Sequence, residues 1–457
     1  MGRVVQTEPF HLLNIFIIAN ILLSTVFHHP IVHAIRHQNK HSKNPVFSLP
    51  LHPHDHQKKI NYTSLAISSL ARDKARVEYI NSRIRKALLH NYTDPSNFFT
   101  GEEEIETSLS SLGGGYLAKL GFGQPVSEFD LLADTGSEVT WLQCYPCKDC
   151  DPNSGLVFDP SQSSTYQPLS CSSQQCDALQ GEKICSTDGN CNFIVRYGDR
   201  SASTGDFATE TLSFGSSGSV GNVGIGCGRE TGGLIAAFSG ILGLGPSPVS
   251  FPSQIKATSF SYCLVEPGSG SSSTLDFNSA APGDSVNVKL VRNPKKDLYY
   301  YVELTGITVG EDQVPVPPSV YQINGDGTGG VIVDSGTTLT FLDPDVYNSF
   351  QDAFQRNAQN LADSQVNFQG YDTCYEFASG TSASDIQGPA MSLQFSGGQT
   401  VALGPGNYFK RVADSTFCLA FEPTNQIVSI IGNVVQSGMR VTYDLGNNLI
   451  GFSPNMC

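Results

Sequence analysis

Two short stretches of this sequence carry residues suited to acid–base chemistry. Leu131-Leu132-Ala133-Asp134-Thr135-Gly136-Ser137 is echoed further on by Val331-Ile332-Val333-Asp334-Ser335-Gly336-Thr337. Each is an apolar run ending in an acid, a hydroxyl, a glycine and another hydroxyl. An apolar strand is a costly place for an unpaired carboxylate, because burial disfavours its charged form. Gly136 and Gly336 allow a tight turn with the backbone brought close. Ser137 and Thr337 can donate hydrogen bonds to carboxylate oxygens. Two such loops facing each other across a pseudo-twofold axis bring Asp134 and Asp334 together, where like charges share one proton. One carboxylate then acts as base on a water and the other as acid. A single copy of such a loop reads as an ordinary strand-end turn; the pairing argues otherwise. Ile241-Leu242-Gly243 follows the first acid and Ile430-Ile431-Gly432 the second, at similar range. A duplicated half-domain explains both echoes.

The rest of the composition narrows the chemistry. All ten histidines lie at or before His90. A body beginning beyond residue 100 therefore has no Ser-His-Asp triad, Cys-His pair or His-ligated metal. Cys144, Cys147 and Cys150 are spaced like zinc ligands, but a closed site needs a fourth ligand and no histidine is at hand, so we expect no metal and no cofactor. The net charge of −15 argues against nucleic acid, whose phosphates require a basic face.

The first hundred residues read as targeting and pro-segment. Arg3 precedes an apolar stretch, Leu12 to Phe27, and Val32-His33-Ala34 gives a small-x-small cleavage pattern. The stretch is shorter than the roughly 20 residues of a membrane span, which favours a cleaved signal over residues 1–34; an uncleaved anchor is the alternative. The twelve cysteines all lie at or beyond Cys144, and an even count in a secreted chain implies disulfides. Residues 35–110 are basic and polar and hold two glycosylation sequons, at Asn61 and Asn91. Leu70, Val77, Ile80, Ile84 and Leu88 repeat at helical spacing, among Arg72, Lys74, Arg76, Arg83, Arg85 and Lys86. From residue 107 onward the chain carries a net −18, counting Lys, Arg, Asp and Glu. A basic amphipathic helix ahead of an acidic body suggests an intramolecular mask, released as carboxylates protonate below roughly pH 5; a plain linker helix is the competing reading.

The body must supply elements that hold the two acidic loops. From Tyr116 onward, short apolar or alternating runs are punctuated by Gly, Pro, Ser, Asn and Asp, which reads as strand after strand. One helix is expected over Asp343–Leu361, and a flexible Gly/Ser loop over Gly268–Ser273.

These motifs together resemble the pepsin-like aspartic peptidases, specifically the secreted plant nepenthesin-like group, over about residues 113–457. The resemblance is carried by D-T-G-S at Asp134–Ser137 with Trp141 following, Y-G-D at Tyr197–Asp199, and F-S-Y-C at Phe260–Cys263. It is carried further by the run Tyr300–Gly310, by D-S-G-T-T-L-T at Asp334–Thr340, and by an R-D-x-x-R-V pattern at Arg72-Asp73 and Arg76-Val77. It implies an all-β dominated, bilobal fold with two pseudo-twofold-related lobes, 111–290 and 291–457, and few short helices. It implies a flap closing over substrate through Tyr197, with Trp141 beneath it, and disulfides Cys144–Cys147, Cys150–Cys227, Cys171–Cys191, Cys176–Cys185, Cys263–Cys457 and Cys374–Cys418. Arg200 departs from the glycine expected after Y-G-D. The implied function is a secreted, monomeric acid endopeptidase acting on protein or peptide substrates and masked by its own pro-segment. Its destination is the apoplast, the vacuole or another endomembrane compartment. A catalytically silent binding or inhibitor protein on the same fold is the rival reading, and a disulfide-rich structural protein a third.

Overall fold

The computed structural model describes residues 45–53, 61–88, 115–148, 157–197, 201–233, 238–266, 271–295 and 297–457. The signal region, Asn91, Cys150, Gly198, Asp199, Arg200 and residues 268–270 of the Gly/Ser loop lie outside them. The protein is dominated by strands, as expected. Among the described residues only two α-helices exceed five residues: α1, Tyr62–Leu88, and α2, Pro344–Asn357. No helix there is long and apolar enough to cross a membrane. Asp343 caps α2, accepting from the Asp345 N–H, and the helix stops at Asn357 and passes into a 3₁₀ segment before reaching Leu361. Asn61 is exposed at the start of α1, where its side chain accepts from the Ser64 N–H.

Among the described residues the largest sheet has sixteen strands. Its middle holds β1 (Phe47–Pro53), β2 (Tyr116–Phe122), β3 (Ser127–Asp134) and β4 (Trp141–Lys148). β1 comes from the expected pro-segment, yet it is paired on both edges: with Ser273–Phe277 over five residues and with β2 over three. Its alternating burial puts Phe47, Leu49 and Leu51 into the main core. Strands from late in the chain, Arg440–Asp444 and Leu449–Ser453, join the same sheet through Ser259–Cys263, with Val286–Lys289 on their outer edge. The sheet thus ties strands from both sides of residue 290 together.

The internal repeat is structural. β3 runs parallel to Gly240–Gly243, which is antiparallel to β4. In a five-stranded sheet, Val331–Val333 runs parallel to Ser429–Ile431, which is antiparallel to Thr340–Leu342. Strands buried on both faces read as continuous apolar runs rather than alternating ones, which is why each acid follows such a run. The paired I-x-G echoes are the strands lying beside the acids. A Cβ on Gly243 would overlap the Glu138 carbonyl, and one on Gly432 the Leu339 carbonyl, so each glycine admits the loop that follows its acid.

Candidate active site

Asp134 ends β3 and Asp334 follows Val331–Val333 in the second half; both are fully buried. The loops interlock through hydroxyls. The Thr135 N–H donates to Ser335 Oγ at 3.1 Å, and the Ser335 N–H donates to Thr135 Oγ1 at 2.9 Å. This reciprocal pair fixes the loops against each other. The Gly136 N–H donates to Asp134 Oδ1 at 2.9 Å and the Gly336 N–H to Asp334 Oδ1 at 3.0 Å. Ser137 Oγ donates to Asp134 Oδ2, and Thr337 Oγ1 to Asp334 Oδ2 at 2.5 Å. A Cβ on Gly336 would collide with Asp134 Oδ1, and one on Gly136 would lie 2.8 Å from Asp334 Oδ1. Glycine is what lets the carboxylates meet.

A cation sits between them. Arg76, projecting from α1, donates through Nε to Asp334 Oδ2 at 2.8 Å, and through Nη2 to Asp334 Oδ1 at 3.0 Å and to Asp134 Oδ1 at 2.5 Å. Burial disfavours both charged carboxylates. At Asp334 the Arg76 guanidinium, with the Thr337 and Gly336 hydrogen bonds, outweighs burial and holds the group below the ordinary carboxylate range. At Asp134 burial wins, aided by the neighbouring Asp334 charge, and the group is pushed up despite Arg76.

The sequence pattern around Arg76 now has a geometry. Asp73 is fully buried and accepts from the Thr338 and Leu339 N–H groups at 3.0 and 2.9 Å. Arg72 donates to Thr338 Oγ1 at 2.8 Å. Asp73 and Arg76, three apart, face the same way, and Val77 beside them is buried. Lys74 lies 3.3 Å from Glu422, and Arg83 bonds Glu138 at 2.7 Å with Glu182 at 3.3 Å. Arg85 is exposed. Charge complementarity was legible as a diffuse attraction between a basic helix and an acidic body. The structure makes it a set of mostly buried contacts between named partners.

Tyr197 directly follows the strand Cys191–Arg196, which pairs antiparallel with Ala202–Ser213. Trp141 is fully buried, and its indole N–H donates to the Tyr197 hydroxyl at 2.8 Å. The Tyr197 ring also meets Tyr79 of α1, with centroids 6.1 Å apart. The sequence reading brought the dyad, its supporting hydroxyls and this pair together. It passed over Thr135 and Ser335, whose signal was the second hydroxyl present in each copy of the repeat. It also passed over Glu138 and Glu182, which carry no motif, and Asn433, whose N–H donates to the Thr337 carbonyl at 2.7 Å.

The disulfide pairing differs from the expected one in the first half. Cys144 bonds Cys227, in place of both expected pairs Cys144–Cys147 and Cys150–Cys227, because β4 and Ser219–Gly232 are adjacent parallel strands. Cys171 bonds Cys185 and Cys176 bonds Cys191, the reverse of expectation. Cys176 and Cys191 share one apolar cluster and are fully buried, whereas Cys171 and Cys185 lie nearer the surface. Cys147 is also disulfide-bonded. Cys263–Cys457 and Cys374–Cys418 are as expected.

Comparison with known proteins agrees with this architecture. Residues 116–277 match the xylanase inhibitor N-terminal family model, and residues 299–454 match the xylanase inhibitor C-terminal one. Aspartic proteinase nepenthesin-2 of Nepenthes gracilis is 36% identical over 426 residues, covering 92% of each chain. Aspartyl protease family protein 2 of Arabidopsis thaliana is 38% identical over 397 residues, 85% of this chain and 81% of that one. Among solved structures, that of edgp superposes with a TM-score of 0.64 at 17% identity, covering 91% of this chain and 96% of that one. Basic 7S globulin from soybean gives 0.58 at 18%, covering 74% and 93%.

Proposed function

The chain belongs to the pepsin-like plant aspartic protease family, with nepenthesins among its relatives, and on that footing we propose that it is the precursor of a secreted aspartic endopeptidase active at acidic pH. The observation that carries the proposal is the pair of hydrogen-bonded carboxylates, Asp134 and Asp334, held by reciprocal hydroxyl contacts and covered by Arg76.

With α1 gone, the two carboxylates face each other with Ser137 and Thr337 on their outer oxygens. A pair that close holds one proton. The ionised member takes a proton from a water lying between them as that water attacks the peptide carbonyl. The protonated member donates to the carbonyl oxygen, and the leaving nitrogen is protonated as the tetrahedral intermediate collapses. Tyr197, held by Trp141, closes over the substrate and excludes water. In the precursor α1 occupies this space, so the chain reads as a zymogen inhibited by its own pro-segment.

A second reading, a silent inhibitor on this fold, draws on the xylanase inhibitor family models. Both acids, both glycines and the hydroxyls that orient them are present here, with hydrogen bonds of the kind a working dyad needs, which favours the enzyme. The test is hydrolysis of a denatured protein between about pH 2.5 and 5 by the acid-treated precursor. Activity abolished by Asp134→Ala and by Asp334→Ala, with the double variant little worse than either, is the expected result. No hydrolysis by wild type rejects the enzyme; substantial activity in either single variant rejects Asp134 and Asp334 as its dyad.

A further inference from the structure

The helix that covers the dyad places a second arginine in a second acidic seat. Arg83 is seven residues beyond Arg76, and its Nη2 lies 2.7 Å from Glu138 Oε2 and 3.3 Å from Glu182 Oε1. All three side chains are shielded: 14% exposed for Arg83, 7% for Glu138 and 13% for Glu182. The surroundings are aromatic. The guanidinium lies 5.9 Å from the Tyr79 ring centroid, Tyr79 meets Tyr197, and Tyr299 is buried nearby. This is unlike a surface ion pair, which costs its partners little water and returns little energy.

The two carboxylates come from different parts of the chain. Glu138 stands four residues after Asp134, on the loop that carries the dyad. Glu182 ends the short 3₁₀ helix Gln180–Glu182, inside the cysteine-rich stretch. That stretch is fixed by Cys171–Cys185 and Cys176–Cys191, and Leu179 beside Glu182 is buried. Its disulfides hold a carboxylate in place opposite Glu138. When α1 departs, the guanidinium leaves and the two carboxylates lose the cation they shared. Like charges so placed favour a replacement cation.

Resting on the reading of the protein as an endopeptidase, we propose that Glu138 and Glu182 form a substrate subsite for an arginine or lysine side chain, kept filled in the precursor by Arg83. Seven residues of helix span roughly 10 Å. An extended peptide covers that in about three residues. The basic residue of a substrate therefore binds about three positions from the bond that is cut.

The experiment uses the acid-activated full-length protein and peptides that share one neutral core sequence. Arg, Lys, Gln or Glu is placed in turn at each position up to four residues on either side of the cleaved bond, and kcat/KM is read for each. One position should prefer Arg or Lys over Gln by roughly 10- to 100-fold, the size of a charge-assisted hydrogen bond. Glu138→Gln and Glu182→Gln should each shrink that ratio, and Glu182→Lys should turn it toward the Glu peptide. Melting curves confirm that each variant is folded. Cleavage of the peptides with no preference for Arg or Lys at any position overturns the subsite and leaves the endopeptidase standing, even if no variant folds. A preference unchanged in the folded Gln variants assigns it elsewhere and also overturns the proposal. Failure to cut any peptide rejects the endopeptidase reading itself.

Discussion

Arg76 is a single guanidinium facing two fully buried carboxylates, and its loss is the sharpest change a residue can make here. Breaking a buried ion pair by removing one partner costs about 3–5 kcal/mol, because a charge is stranded without its counter-ion. Arg76→Met should weaken docking of α1 by that order and let the precursor turn over a small fluorogenic peptide at a higher pH than wild type. An unchanged onset pH would mean that Arg76 is incidental to masking. Tyr197 offers a finer test. Tyr197→Phe keeps the ring and loses only the bond from Trp141, so kcat/KM should fall by up to about tenfold. Tyr197→Ala loses the cover itself and should fall much further, with circular dichroism unchanged. Equal kinetics for all three enzymes would remove Tyr197 from the site. At this scale much was legible, because an acid after an apolar run, repeated with its hydroxyls, is a local pattern. Glu138 and Glu182 were not, because their meaning depends on which cation folding brings to them.

On the scale of elements, α1 is held by more than charge. Leu70, Val77, Ile80 and Ile84 are buried, and burying such a side chain contributes about 1.5–3 kcal/mol. This apolar seam does not titrate, so acid loosens the helix but does not eject it. The titrating groups act in opposite directions. Asp334 is held below its ordinary range in the docked state. It stabilises docking above the ordinary carboxylate pKa and loses that effect as pH falls below roughly 4. Glu422 is raised to about 7 by burial, with Lys74 opposing the rise, so its pair with Lys74 supports docking above that value and fades as acid protonates the group. His52 is raised by Asp130, so its hold on β1 is complete below roughly pH 6.5 and fades above. Between pH 7 and 5 β1 should therefore tighten while α1 gives up only its pair from Lys74, and α1 should open only below about 4. Hydrogen exchange of the α1 amides at pH 7, 5 and 3.5, corrected for intrinsic rates, checks this. Protection lost mainly between pH 7 and 5 would contradict it. The sequence argument placed release below roughly pH 5, from carboxylates at their reference pKa; Arg76, outweighing burial at Asp334, moves it lower.

For the whole molecule, cross-links decide how firmly the ends are tied. Cys263–Cys457 spans a sequence separation of 194 and fastens the C-terminus beside Ser259–Cys263. In the chain-entropy model a loop of that size contributes on the order of 5 kcal/mol, though native strain commonly reduces it. Replacing both cysteines with serine should lower the melting temperature while leaving the dyad contacts in place. A melting temperature unchanged within error would assign the bond no structural weight. The large-scale plan was readable in advance: a duplicated, strand-dominated body behind a basic helix. The disulfide partners in the first half were not, because Cys171, Cys176, Cys185 and Cys191 lie so close in sequence that burial rather than spacing sorts them. Nor was β1, whose seven residues lack any motif and are defined by the strands on either side.

That strand sets the order in which the precursor can come apart. A cut anywhere between α1 and β2 severs the chain, but it breaks neither of the two ladders that grip β1. Peeling a helix from a surface proceeds turn by turn. Drawing out a strand zipped on both sides requires both ladders to open together, and it leaves two raw edges in the middle of a sheet, the kind of surface on which chains aggregate. The severed molecule is therefore a two-chain body first, with its cleft open and its N-terminal strand still in place as a structural part. Denaturing mass spectrometry of freshly activated protein should find the N-terminal fragment, β1 with α1 still attached, co-purifying with the large chain.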